Sequence, residues 1–360
     1  MIVGHAQTFS IAKQRAVRSG GKLILRLEDL DSLRCKSHFF DEMIEDLHWM
    51  GLDWDWGFGS EQPCSFISTE TIATYPFLQA SSIDDNSTAT EIPTDEISVP
   101  VLASESLALK TSTSTSFDLF HLNATRFRQT DRMELYLKAF RYLLAQGCIY
   151  PSSHSRRDVD AAISAPHEGD REIIFPPSLR PSYLPMIPGI RGNVTYPIEL
   201  RELVNPKTLG VNWRFRVPDG VPIEFVDGRN GPQSFISGED FGDFVVWRGV
   251  DNIPSYEFSV VVDDATMGVT EVVRGEDLLL STARQLLLYQ ALGVPRSAIP
   301  SFYHCPLVRN AEGIRLAKRA YSQTIRSLRE SGYTAERIAK EFFDPCIYEE
   351  YISIKDKSEL

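Results

Sequence analysis

A pattern of alternating helix and strand signals, which occurs twice in this 360-residue chain, does most to constrain its fold. In the first block, residues 1–57, apolar residues at helical spacing predict a helix over Ala6 to Arg18 that ends at Gly20-Gly21. A short run of Leu and Ile predicts a strand over Lys22 to Leu27, and an apolar face predicts a second helix over Ser37 to Met50.

The second block begins at Tyr256 and repeats the same kind of pattern. Its segments are predicted as strands Phe258 to Val262, Val269 to Val273 and Phe302 to Val308, with a helix over Ser281 to Leu292. Strands that alternate with helices are typical of an open α/β sheet. We therefore expect one nucleotide-binding domain of the doubly wound type, divided between the two blocks.

The region between the blocks has a different pattern. An amphipathic helix is predicted over Asp131 to Gln146, followed by short strands at Trp213 to Val217, Ile223 to Val226 and Phe244 to Trp247. The predicted organisation is a first catalytic half at 1–57, an insertion at 58–125, an α+β connecting subdomain at 126–255, a second catalytic half at 256–345 and a tail at 346–360.

The insertion also explains most of the negative charge. The chain carries a net charge of −12, but residues 58–125 hold nine acidic residues and one lysine, which leaves about −4 elsewhere. This Ser/Thr-rich segment shows no apolar periodicity, so we predict a disordered insertion. The rest of the chain is close enough to neutral to present a basic face to a phosphate backbone.

Membrane and signal patterns, together with the cysteine spacing, indicate the cellular compartment of the protein. No apolar run approaches the length of a membrane helix, and the first residues do not resemble a secretory signal. The five cysteines are scattered without C-x-x-C spacing, as expected of reduced thiols. We predict a cytoplasmic protein without a membrane partner, and we expect a monomer.

Two candidate groups lie in the first block. Gly4 and His5 open the first helix, where free N–H groups attract anions and a histidine can donate to phosphate oxygens. Glu28 follows the strand, at the edge where open sheets bind ligands, and could accept a substrate ammonium group. The residues alone also allow plainer interpretations, namely an incidental histidine near a helix start and a loop or capping carboxylate.

Two more candidates lie in the second block. Arg274 follows a strand and precedes a glycine, and a guanidinium fixed there suits a carboxylate, with Tyr256 at the start of the same segment. The run Arg315-Leu316-Ala317-Lys318-Arg319 follows a glycine-containing loop and can neutralise a triphosphate. A surface arginine and a solvated basic run are the alternatives.

Together, these segments resemble a known family. GHAQTF, GGKLILRLEDLD, PSYEFSVVVDD, GVTEVVRGEDLLLSTARQ, ALG and RLAKR, in this order, are similar to the catalytic core of class I glutamyl-tRNA synthetases. The resemblance is strongest to the shortened glutamyl-Q tRNA(Asp) synthetase type. It implies a Rossmann-like fold split by a connecting domain, and a reaction in which ATP and glutamate give glutamyl adenylate and then a glutamylated tRNA.

The resemblance also implies roles for individual residues. Gly4 and His5 match the end of the ATP signature, and Glu28 matches the acid that receives the glutamate ammonium. Tyr256 and Arg274 match the pocket tyrosine and arginine. Lys318 matches the second lysine of the phosphate-stabilising loop, and Arg315 replaces the first lysine. His5 and Lys318 are thus the expected catalytic residues, with ATP as a substrate accompanied by Mg²⁺, and glutamate and tRNA as partners.

The chain departs from the family pattern at two sets of positions. Ile2 stands where the first signature histidine is expected, so we expect the first strand of the fold to be missing. The loss of one preorganised donor typically lowers the rate by about 10²–10³. The positions of the family's zinc ligands are Ser152, His154, Phe175 and Leu179, so no zinc is predicted. A makeshift site of Cys148, His154 and His167 is a minor alternative.

Three hypotheses remain open from the sequence. The first is an ATP-dependent enzyme that activates glutamate and transfers it to a tRNA, with queuosine of tRNA(Asp) as a candidate acceptor. The second is a catalytically degenerate paralogue, or a truncated chain, that binds tRNA or a protein. The third is a part of a full glutamyl-tRNA synthetase. The short stretch after Lys318 favours the shortened type over one with a helical anticodon-binding domain.

Overall fold

The structure is a computed structural model that describes most of both blocks and part of the region between them. The described residues are 1–33, 35–58, 74–79, 127–154, 174–181, 210–308 and 324–358. The predicted insertion lies almost entirely outside them. Its described residues are Phe58 and 74–79, which include the short helix Pro76–Gln79. Phe77 in this helix and Tyr75 just before it are buried. The composition of the insertion did not indicate this buried segment.

Residues 1–57 contain the predicted helix, strand and helix, followed by a short second strand that was not predicted. The elements are helix α1 (Val3–Ser19), strand β1 (Ile24–Leu25), helix α2 (Ser37–Trp49) and strand β2 (Trp56–Gly57), and β1 pairs with β2 in parallel. Gly20 adopts a left-handed conformation with φ of 65° and ends α1 where predicted. The strand is shorter than the predicted Lys22 to Leu27.

Residues 127–254 contribute a helix and most of the strands. After the short helix α3 (Pro76–Gln79), the elements are helix α4 (Met133–Ala145), β3 (Ile149–Ser152), β4 (Asn212–Phe215), β5 (Pro222–Asp227), β6 (Gly231–Ile236), β7 (Phe244–Arg248) and β8 (Ile253–Pro254). Strands β3, β4, β7 and β8 form an antiparallel sheet in the order β3-β4-β7-β8. Its aromatic side chains meet α4, where the ring of Phe140 lies 5.1 Å from that of Trp213 and 5.4 Å from that of Trp247.

The second block differs from its prediction at one element. It contains helix α5 (Tyr256–Met267), β9 (Glu271–Gly275), helix α6 (Leu279–Ala291), β10 (Ser301–Cys305), α7 (Ile325–Glu330), α8 (Ala335–Phe342) and α9 (Pro345–Ser358). The prediction of a strand over Phe258 to Val262 is wrong, because these residues belong to α5. Every side chain in this run is buried, so the run has no polar face, and periodicity cannot separate a buried helix from a buried strand.

A second sheet joins the connecting region to the second block. Its strand order is β6-β5-β10-β9, with β10 parallel to both β5 and β9 and with β5 and β6 forming a hairpin. Two hydrophobic clusters support this arrangement. The larger one spans α4, the antiparallel sheet, α5 and α6, and the other joins α1 and α2 to α8 and α9. No helix among the described residues is long and apolar enough to cross a membrane.

Candidate active site

A cavity of about 1080 Å³ brings the predicted residues of both blocks together. The start of α1, the residues after β1, the start of α5 and the end of β9 contribute to its wall. The lining includes five of the predicted site residues, namely Gly4, His5, Glu28, Tyr256 and Arg274. The structure therefore places residues more than 200 positions apart in the sequence around one volume large enough for a small-molecule substrate.

The start of α1 forms one end of the cavity. The helix has no acidic residue in its first turn, so nothing there cancels the partial positive charge of its N-terminus. A Cβ atom added at Gly4 would meet no atom within 4 Å, so the glycine leaves open space beside the backbone. His5 is exposed on the cavity wall. This end can accept an anion such as a phosphate group.

Glu28 is held beside Arg26 on the residues that follow β1. Arg26 Nη2 donates to Glu28 Oε1 at 3.1 Å, and Arg26 Nη1 donates to Asp264 Oδ1 of α5 at 2.6 Å. Burial within the cavity raises the pKa of the Glu28 carboxyl, and Arg26 acts in the opposite direction. The side chain nevertheless keeps 43% of its surface accessible, so it faces the cavity and can meet a cationic group there.

Asp263, which precedes Asp264 in α5, binds residues in and just before α4. Arg132 Nε donates to Asp263 Oδ1 at 2.6 Å, and the hydroxyl of Tyr136 and the amide of Gln129 donate to the same carboxylate, each at 2.9 Å to one of its oxygens. The side chain of Asp263 is completely buried. A buried carboxylate needs such donors to offset its desolvation. The network connects the helix that carries Tyr256 to the segment before α4.

Arg274 and Tyr256 also line the cavity. Arg274 is 7% exposed, and its Nη1 donates to the Tyr256 hydroxyl across 3.4 Å. Its Nη2 donates to Thr282 Oγ1 at 2.7 Å, and its Nε donates to His304 Nε2 at 3.1 Å. Burial, followed by the charge of Glu28, raises the pKa of Tyr256 to about 12, so its hydroxyl stays protonated. The pair offers a cation and a hydroxyl to a carboxylate.

The sequence patterns did not indicate several of these contacting residues. Arg26, Asp264 and Thr282 lie in segments that carry the resemblance, whereas His304 lies between two of them, and no spacing rule connects the four residues to one another. Arg315 and Lys318 lie outside the described residues, so their predicted roles stay predictions. Val308, the last described residue before that segment, lines the cavity.

The positions aligned with zinc ligands were also predicted from the sequence. His154 lies against Phe175, with ring centroids 6.2 Å apart, and the side chains of Phe175 and Leu179 carry no metal-binding atom. Next to them, Arg180 forms ion pairs at 2.7 Å with Asp219 and with the fully buried Asp243. Across the described ranges, no group of three or more His, Cys, Asp and Glu side chains has the arrangement of a metal site.

Comparison with known proteins gives consistent results. The family described as tRNA synthetases class I (E and Q), catalytic domain, matches residues 1–73 and 206–343. A glutamyl-Q tRNA(Asp) synthetase from Symbiobacterium thermophilum is 34% identical over 336 residues, which cover 93% of this chain and 80% of that protein. A glutamate–tRNA ligase 2 from Nitrosococcus oceani is 30% identical over 338 residues, covering 93% of this chain and 54% of that one.

A solved structure shows the same fold. The glutamate–tRNA synthetase from Elizabethkingia anophelis superposes with a TM-score of 0.56 at 20% sequence identity, covering 96% of this chain. The chain spans 54% of the length of that structure. The split α/β architecture predicted from the sequence is therefore confirmed.

Proposed function

The chain belongs to the class I tRNA synthetase (E and Q) catalytic-domain family, and from this membership we propose that it activates glutamate with ATP and transfers the glutamyl group to a tRNA. In the first step, a glutamate α-carboxylate oxygen attacks the α-phosphorus of ATP, and pyrophosphate leaves. In the second step, a tRNA hydroxyl attacks the carbonyl carbon of glutamyl adenylate, and AMP leaves.

The observation that carries this proposal is the pairing of opposite charges around one cavity. Arg274 and Tyr256 offer donors for the side-chain carboxylate of glutamate, while Glu28 offers an acceptor for its ammonium group. An amino acid with an acidic side chain satisfies both. A neutral side chain would leave the buried guanidinium without a charged partner, which is a large penalty.

The nucleotide is proposed to bind at the start of α1. Gly4 provides space for close approach of phosphate, the helix N-terminus attracts it, and His5 donates to it. We assign the stabilisation of the leaving pyrophosphate to Arg315 and Lys318, as the sequence resemblance implies. Mg²⁺ is expected to arrive with the ATP phosphates and to neutralise part of their charge.

The relatives favour the glutamyl-Q type within the family. Glutamyl-Q tRNA(Asp) synthetases from Symbiobacterium thermophilum and Nitratidesulfovibrio vulgaris match over 80% and 79% of their own lengths. We therefore propose queuosine of tRNA(Asp) as the acceptor. We further propose that the protein is cytoplasmic, which agrees with the free state of Cys35, Cys148, Cys305 and Cys346, the cysteines that fall within the described ranges. We also propose that it is a monomer.

Glutamate-dependent exchange of pyrophosphate into ATP tests the activation step. Exchange with glutamate, and none with glutamine or aspartate, is the expected result. Transfer of labelled glutamate to queuosine-containing tRNA(Asp) that lacks its 3′-terminal adenosine tests the acceptor. Transfer that requires the terminal adenosine would reject the base as the acceptor. No exchange at any tRNA concentration would reject the enzyme and support the degenerate paralogue.

A further inference from the structure

A chain of hydrogen bonds connects Arg274, through His304 and Asp227, to the turn between β5 and β6. The connection starts at Asp227, the last residue of β5, whose side chain is completely buried. Its Oδ1 accepts from the backbone N–H groups of Arg229 and Asn230 at 3.1 and 2.8 Å and from the Asn230 amide at 2.9 Å. The turn between β5 and β6 thus fixes the carboxylate in one orientation.

The other oxygen of Asp227 holds His304. Asp227 Oδ2 accepts from the backbone N–H of His304 at 3.1 Å and lies 2.6 Å from His304 Nδ1. An ionised carboxylate only accepts, so the proton of the neutral imidazole must be on Nδ1. His304 Nε2 is then left with a lone pair, and it accepts from Arg274 Nε at 3.1 Å.

We propose that Asp227 and His304 are positioning residues for glutamate recognition: they hold the Arg274 guanidinium so that its Nη1 faces the cavity. This inference rests on the proposed function, because it assigns Arg274 to the glutamate side chain. His304 and Thr282 bind the Nε and Nη2 groups, and Nη1 remains on the side of Tyr256. An arginine side chain that is not held in this way loses rotamer freedom when it binds a carboxylate, which weakens the binding.

The position of the dyad in the sheet supports a specific role. His304 of β10 is directly opposite Arg274 of β9 in the parallel register, and Asp227 is on β5 at the other side of β10. The guanidinium of Arg274 lies over the ring of Phe302, with 5.5 Å between Arg274 Cζ and the ring centroid. Apolar side chains would fill this sheet at lower desolvation cost than a buried Asp–His–Arg chain. The polar chain is explained by the geometry it gives Arg274.

The hydrogen bond from Arg274 Nε to His304 Nε2 forms only while His304 is neutral. The charged groups that face His304 are Asp227 from β5 and Arg274 from β9, while α6 contributes the neutral Thr282. Burial lowers the pKa of His304, Asp227 raises it, and Arg274 lowers it, with a net decrease. Protonation would place an N–H donor against the guanidinium, so glutamate affinity should fall as the pH drops below the ordinary histidine range near 6.5.

Two substitutions at His304 test the proposal. We expect His304→Leu to raise the KM for glutamate in pyrophosphate exchange by at least about tenfold, since a hydrogen bond to a charged group is lost. The KM for ATP should change less than twofold. His304→Gln should restore most of the affinity, because its amide can donate to Asp227 and accept from Arg274. The acid-side rise in the glutamate KM should also become smaller in His304→Gln, because only the part due to protonation of Glu28 remains.

Asp227→Asn provides an independent test that preserves the shape of the residue. The asparagine amide nitrogen would face His304 Nδ1 as a donor, so the imidazole proton would move to Nε2 and point at Arg274. The expected result is again an increase of about tenfold in the glutamate KM with an unchanged ATP KM. Folding of each variant is checked by circular dichroism and thermal melting.

The outcomes separate this inference from the proposed function. Equal losses for ATP and glutamate in the folded variants, or a normal glutamate KM in both His304→Leu and Asp227→Asn, would overturn the positioning role while the wild-type activity stands. Failure of glutamate to support exchange in the wild-type chain, together with no glutamate binding by equilibrium dialysis, would overturn the proposed function and the inference with it.

Discussion

Arg274 Nη1 lies 3.4 Å from the Tyr256 hydroxyl, so the end of β9 is linked to the first residue of α5 at the cavity wall. This distance is at the long end of a hydrogen bond, which leaves Nη1 able to bind a second acceptor. A substrate carboxylate can use both groups at once. The contact joins two residues that are 18 positions apart, because Tyr256 begins α5 and Arg274 lies near the end of β9.

The guanidinium shape of Arg274 is predicted to be essential. Arg274→Lys should lower glutamate-dependent pyrophosphate exchange by at least about tenfold, because one ammonium group cannot contact His304, Thr282 and Tyr256 together. Arg326→Lys, at an exposed ion pair with Glu42, is the matched control and should keep the wild-type rate. Similar rates for the two variants would contradict the assignment.

Protonation of Glu28 should weaken glutamate binding at low pH. The pKa of its carboxyl is raised, so protonation begins at a higher pH than for an ordinary glutamate, and the acceptor for the substrate ammonium is lost as the pH falls through that pKa. We expect Glu28→Gln to raise the glutamate KM at least about tenfold at neutral pH and to flatten this part of its pH profile. Glu330→Gln, on an exposed residue, should change neither property.

Lys318 is predicted to act on the transferring phosphates. Lys318→Ala should lower the maximal exchange rate by at least about tenfold with little change in the glutamate KM, because the loss appears as charge develops on the leaving group. Lys340→Ala, on the exposed side of α8, tests for a general effect of removing a positive charge. A loss confined to the glutamate KM would refute the role.

Phe140 should contribute strongly to stability. It is completely buried between Trp213 and Trp247, so Phe140→Ala should lower the free energy of unfolding by about 3–5 kcal/mol through lost contacts and a residual cavity. Phe39→Ala removes the same atoms from a side chain that is 51% exposed. Urea denaturation should therefore show a large shift of the midpoint for the first variant and a small one for the second.

Arg180 should stabilise the segment at the positions aligned with zinc ligands. Arg180→Ala leaves the fully buried Asp243 without its charged partner and is expected to cost about 3–5 kcal/mol. Arg337→Ala breaks an exposed pair with Glu341 at 3.8 Å, which is expected to cost about 0–1 kcal/mol. Comparable denaturation midpoints for the two variants would mean that the Arg180 pairs add no stability.

Local sequence patterns were sufficient to predict helices that have a polar face or end at a glycine. The C-terminal end of α1 and the extent of α6 were predicted to within two residues, because a glycine follows each helix. The start of α1 was predicted three residues too late. Helix α5 was mistaken for a strand because its valines are buried on all sides. Whether a buried apolar run forms a helix or a strand depends on the elements packed around it, and the local sequence pattern does not contain that information.

The candidate site was predictable only where the family resemblance supplied the residues. Glu28, Tyr256 and Arg274 lie on one cavity, as expected of residues at the ends of strands and the starts of helices. Asp227 and His304 were missed because their roles depend on which strands are neighbours. The pairing of β5 with β10 joins residues 227 and 302, and no rule on spacing covers such a separation.

That pairing also sets an order of events during synthesis. The β5–β6 hairpin is complete at Ile236, but β10, which separates β5 from β9 in the sheet, ends only at Cys305. At about 5–20 residues per second, the ribosome needs several seconds to add the intervening chain. During that interval β5 exposes an unpaired edge, and Asp227 lacks the His304 side chain that its Oδ2 contacts in the complete sheet.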